Sequence, residues 1–300
     1  MSGIQTNRSN ISLPMDVSSE IIQKTQEASA VMQLARQISL PGRGLTIPVI
    51  TSDPEASWVG ETEKKPVSNP GLSTKNMQAY TLAVIVPFSN QFRRDMAALY
   101  DACIQRLPNA LGSKFDNTVF GGTAVPGSNF DNLASCTAVS INPETYSDVS
   151  PAAYNALVQA DLNIAVNGGI LNGYALSPQA KGILLAARDE TGRPLFINNV
   201  AEGAVPMILG APTKISKGAY ISGSPNVVGF AGDWTKAMYG VVEGVNISIS
   251  DQATLDLGNG QTINLFQQNM FAVRAEIEIG FVADTTVFNK LTSAGSTPSF

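Results

Sequence analysis

Apolar residues recur in steps of three and four along some stretches of this chain and in steps of two along others, and the switches between the two periods mark its elements. The longest helical stripe runs Phe88, Phe92, Met96, Leu99, Cys103, Leu107, Leu111 and Phe115, with Ser89 placed to cap it. At about 1.5 Å per residue a helix from Ser89 to about Val119 would be a rod on the order of 45 Å long, kinked or split at Pro108 and ended by Gly121-Gly122. A patchier stripe (Ile21, Ile22, Met32, Leu34, Ala35, Ile38) predicts a helix over 17–38, capped by Asp16 and stopped at Leu40-Pro41-Gly42. Two more helices are expected at Ala152 to Val166 and at Pro178 to Arg188, the second with proline in its first turn.

The clearest strand is Met270 to Val282, with Phe271, Val273, Ile277, Ile279 and Phe281 on one side and Arg274, Glu276 and Glu278 on the other. Tyr174-Ala175-Leu176 reads as a short buried strand, Leu133 to Ile141 as another short apolar run, and 206–250 as short antiparallel strands between Gly, Pro and Asn turns. Gly258-Asn259-Gly260 signals a turn between Leu255 and Ile263.

Leu45 to Ile50 and Tyr80 to Val86 are β-like and separated by the 29 residues from Thr51 to Ala79, which hold Pro54, Pro66 and Pro70. Connections this long are uncommon in compact domains and are usually functional, so the expectation is a long, projecting two-stranded loop. Residues 1–13 predict an extended arm, and 293–300 a disordered tail. No fixed-period repeat or heptad array occurs.

Composition then narrows the function. Of 300 residues 44% are hydrophobic, enough for a sizeable core, but only 14% are charged, well below the usual quarter. A surface so poor in charge suits a subunit that packs against copies of itself. The net charge of −5 lacks the basic footprint of a protein that grips nucleic acid. The absence of histidine removes the commonest general base and metal ligand, so Ser-His-Asp, Cys-His and histidine metal sites are excluded. Cys103 and Cys136 form no CxxC pair and suggest neither a disulfide framework nor a zinc site. There is no signal-peptide pattern and no apolar run long enough to span a bilayer, which predicts a soluble protein.

Neither GxGxxG after a strand nor GxxxxGK(S/T) occurs, so no nucleotide cofactor is expected. Carboxylate pairs such as Asp189/Glu190 and Glu276/Glu278 read as solvated turn and strand faces. In the projecting loop, Lys64, Lys65 and Lys75 read most simply as solubilising charges. Trp58 is different, because a large aromatic in a polar loop exposes apolar area unless a partner, or the loop's own base, covers it.

The order of these parts resembles the major capsid protein family of tailed phages, the Hong Kong phage-type capsid fold, over nearly the whole chain. The most specific residues are 230–240 (FAGDWTKAMYG), similar to the family's GDWSKA..G stretch ahead of a strand such as 245–249. Residues 269–281 (NMFAVRAEIEIGF), with Asp284, Phe288 and Leu291, resemble its closing strand. Residues 174–178 with 189–196 (DETGRPLF) resemble its axial helix and turn.

The resemblance implies an α+β fold with an N-terminal arm and helix (1–40), an extended loop (41–87), a long spine helix and first part of a peripheral domain (88–151), an axial domain (152–255) and a return to the peripheral domain with a C-terminal tail (256–300). It implies a structural, non-enzymatic subunit without cofactor or metal. Such subunits assemble into pentamers and hexamers of an icosahedral head around double-stranded DNA that is enclosed without tight binding. The partners implied are further copies, a portal and, where used, scaffold or decoration proteins. No membrane is involved, and the place is the virion, after assembly in the host cytoplasm. The loop, with Trp58, Lys64, Lys65 and Lys75, should contact a neighbouring subunit. Some relatives weld loop lysines to a neighbour's asparagine, which makes Lys64, Lys65 and Lys75 candidate crosslink donors. Many relatives begin with a removable scaffold segment, so the roughly 40 residues ahead of the loop imply a separate scaffold protein or none. An encapsulin, a compartment shell of the same fold with a generally shorter loop, is the alternative, and an α/β enzyme using Asp189, Glu190 and Lys181 the reading from another class.

Overall fold

The computed structural model of the chain describes residues 25, 29–42, 44–52, 54, 56–62, 64–65, 67–68, 71–95, 97–141, 152–187, 207–242, 244–258 and 260–293. The expected arm at 1–13, the cap at Asp16, the axial turn at 189–196 and the tail at 294–300 lie outside them.

Two sheets and a long helix organise the molecule. Helices α2 (Asn90–Asp95) and α3 (Ala97–Val119) realise the expected rod. The helix continues through Pro108 instead of splitting there. A proline inside a helix costs roughly 3 kcal/mol through its missing N–H and its clash with the preceding turn. Leu107, Leu111 and Phe115 lie buried on one face of α3, and each such side chain contributes roughly 1.5–3 kcal/mol when fully buried. Packing therefore outweighs the local break. Gly121, at φ +87°, ends the helix where a Cβ would stand 2.5 Å from that of Ala134, so both the backbone conformation and the close approach require glycine.

The first sheet centres on β14 (Met270–Ala283). Along one edge β14 pairs antiparallel with β4 (Tyr80–Ser89), and along the other with β10 (Ala237–Val241) and β11 (Asn246–Ser250). Its alternation is as read from sequence up to Glu278. Beyond that both faces are buried, because Val282 packs with Leu40 and Met77.

The second sheet runs β5 (Thr137–Ser140), β15 (Phe288–Ser293), β9 (Asn226–Gly232), β6 (Gly173–Leu176), β8 (Ala211–Ile215) and β7 (Met207–Ile208), in that spatial order. Two of its pairings, β15 with β5 and β6 with β8, are parallel, and the second corrects the antiparallel expectation for 206–250, because short strands between turns fix a strand's ends but not the direction of a partner far away in sequence. Helices α4 (Ala152–Val166) and α5 (Pro178–Ala186) cover it through Leu157, Ala160, Ile183 and Leu184. Ser177 caps α5 by accepting from the Ala180 N–H at 3.1 Å, with Pro178 next to it, the cap the sequence signalled. Segment 152–255 is thus divided, since β10 and β11 join the first sheet.

Two expectations near the ends are corrected. The helix expected to reach Ile38 ends, among the described residues, with α1 (Ala30–Leu34), and the chain then turns into β1 (Arg36–Ser39), parallel to β10. The open edge of β10 offers four consecutive residues backbone partners that another helical turn would not. At the other end Ser293 belongs to β15 and is buried, so order extends at least that far.

Candidate functional site

The projecting feature is a ribbon of two strands, β2 (Leu45–Ser52) and β3 (Gly71–Met77), paired antiparallel from Leu45↔Met77 at the root to Ser52↔Gly71 at the far end. The sequence reading of a two-stranded loop holds, but the partner of β2 is Gly71–Met77 and not Tyr80–Val86, which lies in the first sheet. The mispairing has a physical cause. Strand β3 (GLSTKNM) is mostly polar, with Thr74 and Asn76 exposed, so it carries no apolar alternation to announce it. Eight residues at about 3.3 Å each carry β2 roughly 23 Å from its root, counting seven steps.

The root is fixed in two ways. Met77 is buried, packed with Leu40 and Val282. The Lys75 ammonium donates to Asp131 Oδ2 at 2.9 Å and to the Ala283 carbonyl at 2.6 Å, while the same Asp131 oxygen accepts from the Ala283 N–H at 3.1 Å. Beyond the far end of the ribbon Trp58 is fully exposed at 104%, Val67 stands at 86%, and Lys64 and Lys65 are exposed. The four loop residues singled out from sequence therefore divide. Trp58, Lys64 and Lys65 stand in solvent, and Lys75 braces the loop against its own subunit.

The signature at 230–240 forms a structural lock. Asp233 accepts from the Ile170 N–H (3.1 Å), the Asn172 amide (2.9 Å), and the Thr235 N–H (3.1 Å) and hydroxyl (2.6 Å). Asn172 in turn accepts from the Trp234 N–H at 2.8 Å, and the Trp234 indole donates to the Gly173 carbonyl at 3.0 Å. The indole meets Phe288 edge to face at 5.2 Å. Gly232 lets the Phe288 ring pass so closely that a Cβ would lie 2.1 Å from the ring. The motif thus ties β9 to β15 and to the turn after α4.

A second lock was not legible in the sequence. Asp116, on α3, is fully buried and accepts from the Ser29 hydroxyl (2.5 Å), the Ala30 N–H (2.9 Å), the Val31 N–H (3.2 Å) and the Ser216 hydroxyl (2.6 Å). Burial pushes its carboxyl up, and the hydrogen bonds from Ser216, Ser29 and the two amides pull it back. One carboxylate thereby joins the start of α1, the long helix and the segment after β8. Its only sequence signal is an aspartate directly beside Phe115 on the apolar stripe.

Of the residues considered for an enzyme, Lys181 is half-buried on α5, and Asp189 and Glu190 lie outside the described residues. Glu278 is exposed, and Glu276 pairs with Arg274 at 3.1 Å. Among the described residues no group of three or more acidic, Cys or His side chains could hold a metal ion, and no helix is long and apolar enough to cross a membrane. The Cys136 thiol, buried and donating to the Thr285 carbonyl, is pushed up to about 12 by desolvation.

Further exposed apolar side chains lie away from the ribbon. On α4, Leu162 and Val166 point outward one turn apart, with Tyr154 two turns earlier, and Phe266 stands out beside the hairpin of β12 (Thr254–Gly258) and β13 (Gln261–Asn264).

Comparison with known proteins gives a consistent picture. The model of the phage capsid family matches residues 10–285. The "Probable major capsid protein gp17" of Mycobacterium phage L5 is 32% identical over 286 residues, which cover 91% of this chain and 87% of that one. A solved structure from Gordonia phage Cozz superposes with a TM-score of 0.73 at 21% identity, covering 89% of this chain and 87% of the other. The capsid of a native GTA particle, computed with C5 symmetry, gives 0.61 at 13% identity over 98% and 96%.

Proposed function

The chain belongs to the phage capsid family and is a major capsid protein of a tailed phage, and on that premise we propose that its copies join into five- and six-membered rings that close an icosahedral head around double-stranded DNA. In these rings the β2–β3 ribbon of each subunit lies across its neighbour, with Trp58, Lys64 and Lys65 in the contact. The observation that carries this reading is the ribbon itself, braced at the root by Lys75 and Met77 and bearing a fully exposed indole past its far end. Burying one such side chain removes roughly 150–250 Å² from water, so a lone subunit leaves a large binding contribution unused.

The remaining partners follow from the container. A portal is needed for DNA entry, and scaffold or decoration proteins join where curvature demands them. The net charge of −5 suits a wall that encloses phosphates without holding them. The subunit is structural, with assembly in the host cytoplasm and a final place in the virion shell. The named relative is a phage protein, and the long ribbon goes with it, so a compartment shell is not favoured.

Negative-stain electron microscopy with light scattering on the expressed chain tests the proposal. Hollow shells or five- and six-fold rings are expected. A species that stays monomeric or dimeric, even with its neighbouring genes co-expressed, would overturn it.

A further inference from the structure

An apolar groove opens on the body beside the root of the ribbon. Its floor is Phe115, Phe130, Leu82 and Ile279, and its rim includes Lys114 and Ala124. It holds about 140 Å³, and an apolar cavity of about that size accepts one aromatic ring. The floor is itself aromatic. Phe130 meets both Tyr80 and Phe115 edge to face at 6.2 Å, an arrangement to which a further ring adds at its edge. Trp58 of the same chain does not fill the groove, since it is fully exposed past the opposite end of a ribbon roughly 23 Å long.

Charge favours the same match. Among the described residues Lys114 is the one charged residue lining the groove. The charges nearest to Trp58 in sequence are Glu55 and Glu61, three positions away on either side. A knob and a hole on different parts of one molecule make a head-to-tail contact, which builds rings when the rotation closes.

We propose that this groove is the seat for Trp58 of a second copy of the chain, with Lys114 facing that copy's Glu61. The proposal rests on the shell reading above and names the contact within it.

The test uses full-length chain and three measurements. First, the concentration at which rings or shells appear is followed by light scattering. Trp58→Ala should raise it about thirtyfold, the effect of losing an interface hot spot, and Trp58→Phe should recover most of the loss. Second, Ala124→Trp, which fills the groove from its exposed rim and leaves the ribbon untouched, should raise the threshold similarly. Third, a Trp58→Cys chain mixed with a differently tagged Ala124→Cys chain should form a disulfide-linked heterodimer that neither chain forms alone.

If the wild-type chain assembles while Ala124→Trp changes nothing and the mixed chains do not link, the seat is elsewhere and the proposal is overturned, with the shell reading intact. A cross-link formed only within a Trp58→Cys/Ala124→Cys chain would likewise overturn it. A wild-type chain that never assembles removes the shell reading and the seat together.

Discussion

The body of the subunit and its ribbon use polar and apolar groups in opposite ways. In the body, Asp116 and Asp233 are buried and each accepts four hydrogen bonds, so charge is spent on fixing one arrangement of helices and strands. Out on the ribbon charge faces water, and the largest apolar group, Trp58, stands fully exposed. The first region satisfies itself, and the second is satisfied only by a partner. Lys75 marks the border, with an ammonium that ties ribbon to body.

The largest effect that would break this contrast is expected at Asp116. Asp116→Ala leaves two hydroxyls and two amides in the interior without their acceptor, and should cost about 3–5 kcal/mol in urea unfolding, where each orphaned group costs roughly 1–3 kcal/mol before relaxation. A loss below about 1 kcal/mol would mean that the lock is ornamental. Gly232→Ala, which drives a methyl against the Phe288 ring, should cost about 1–3 kcal/mol, with part of the loss recovered in a Gly232→Ala/Phe288→Leu double variant.

A third test reads the body through pH. The unfolded Cys136 thiol ionises near 9.0 and the folded one only at about 12. In that window the folded chain therefore binds more protons, so stability should fall as pH rises from about 9 to about 12. Cys136→Ala should flatten that slope, and an unchanged slope would remove Cys136 as its cause.

Smaller still is Lys75→Met. Both partners of this ion pair are about a third exposed, so global stability should change by less than about 1 kcal/mol. The amides of β2 and β3 should nonetheless exchange faster while those of β14 do not, which would place the border at the root. Smallest for the isolated subunit is Trp58→Ser, expected within about 0.5 kcal/mol of wild type in urea. A clear destabilisation there would show that the indole serves its own chain and would dissolve the contrast.

Much of this was open to reading from the chain alone. Strand β14, helix α4, the Ser177-Pro178 start of α5 and the turn around Gly258 each carry their signal within a dozen or so residues, because pleat, helical period and capping are local. The resemblance at 230–240 pointed to the right family, and its residues hold the fold together.

What only the tertiary structure decided depends on groups far apart in sequence. Pro108 stays inside a helix because three buried neighbours hold it there, and β1 is a strand because β10 has an open edge. Strand β3 pairs with β2 through backbone groups its polar sequence does not advertise. Asp116 finds its four donors 85 to 100 positions away. The sequence by itself determined which segments carry local order and that the surface is poor in charge, since these follow from neighbouring residues and composition. Folding alone determined which carboxylate becomes a lock and which aromatic is left for a partner, because both depend on what the chain has brought beside them.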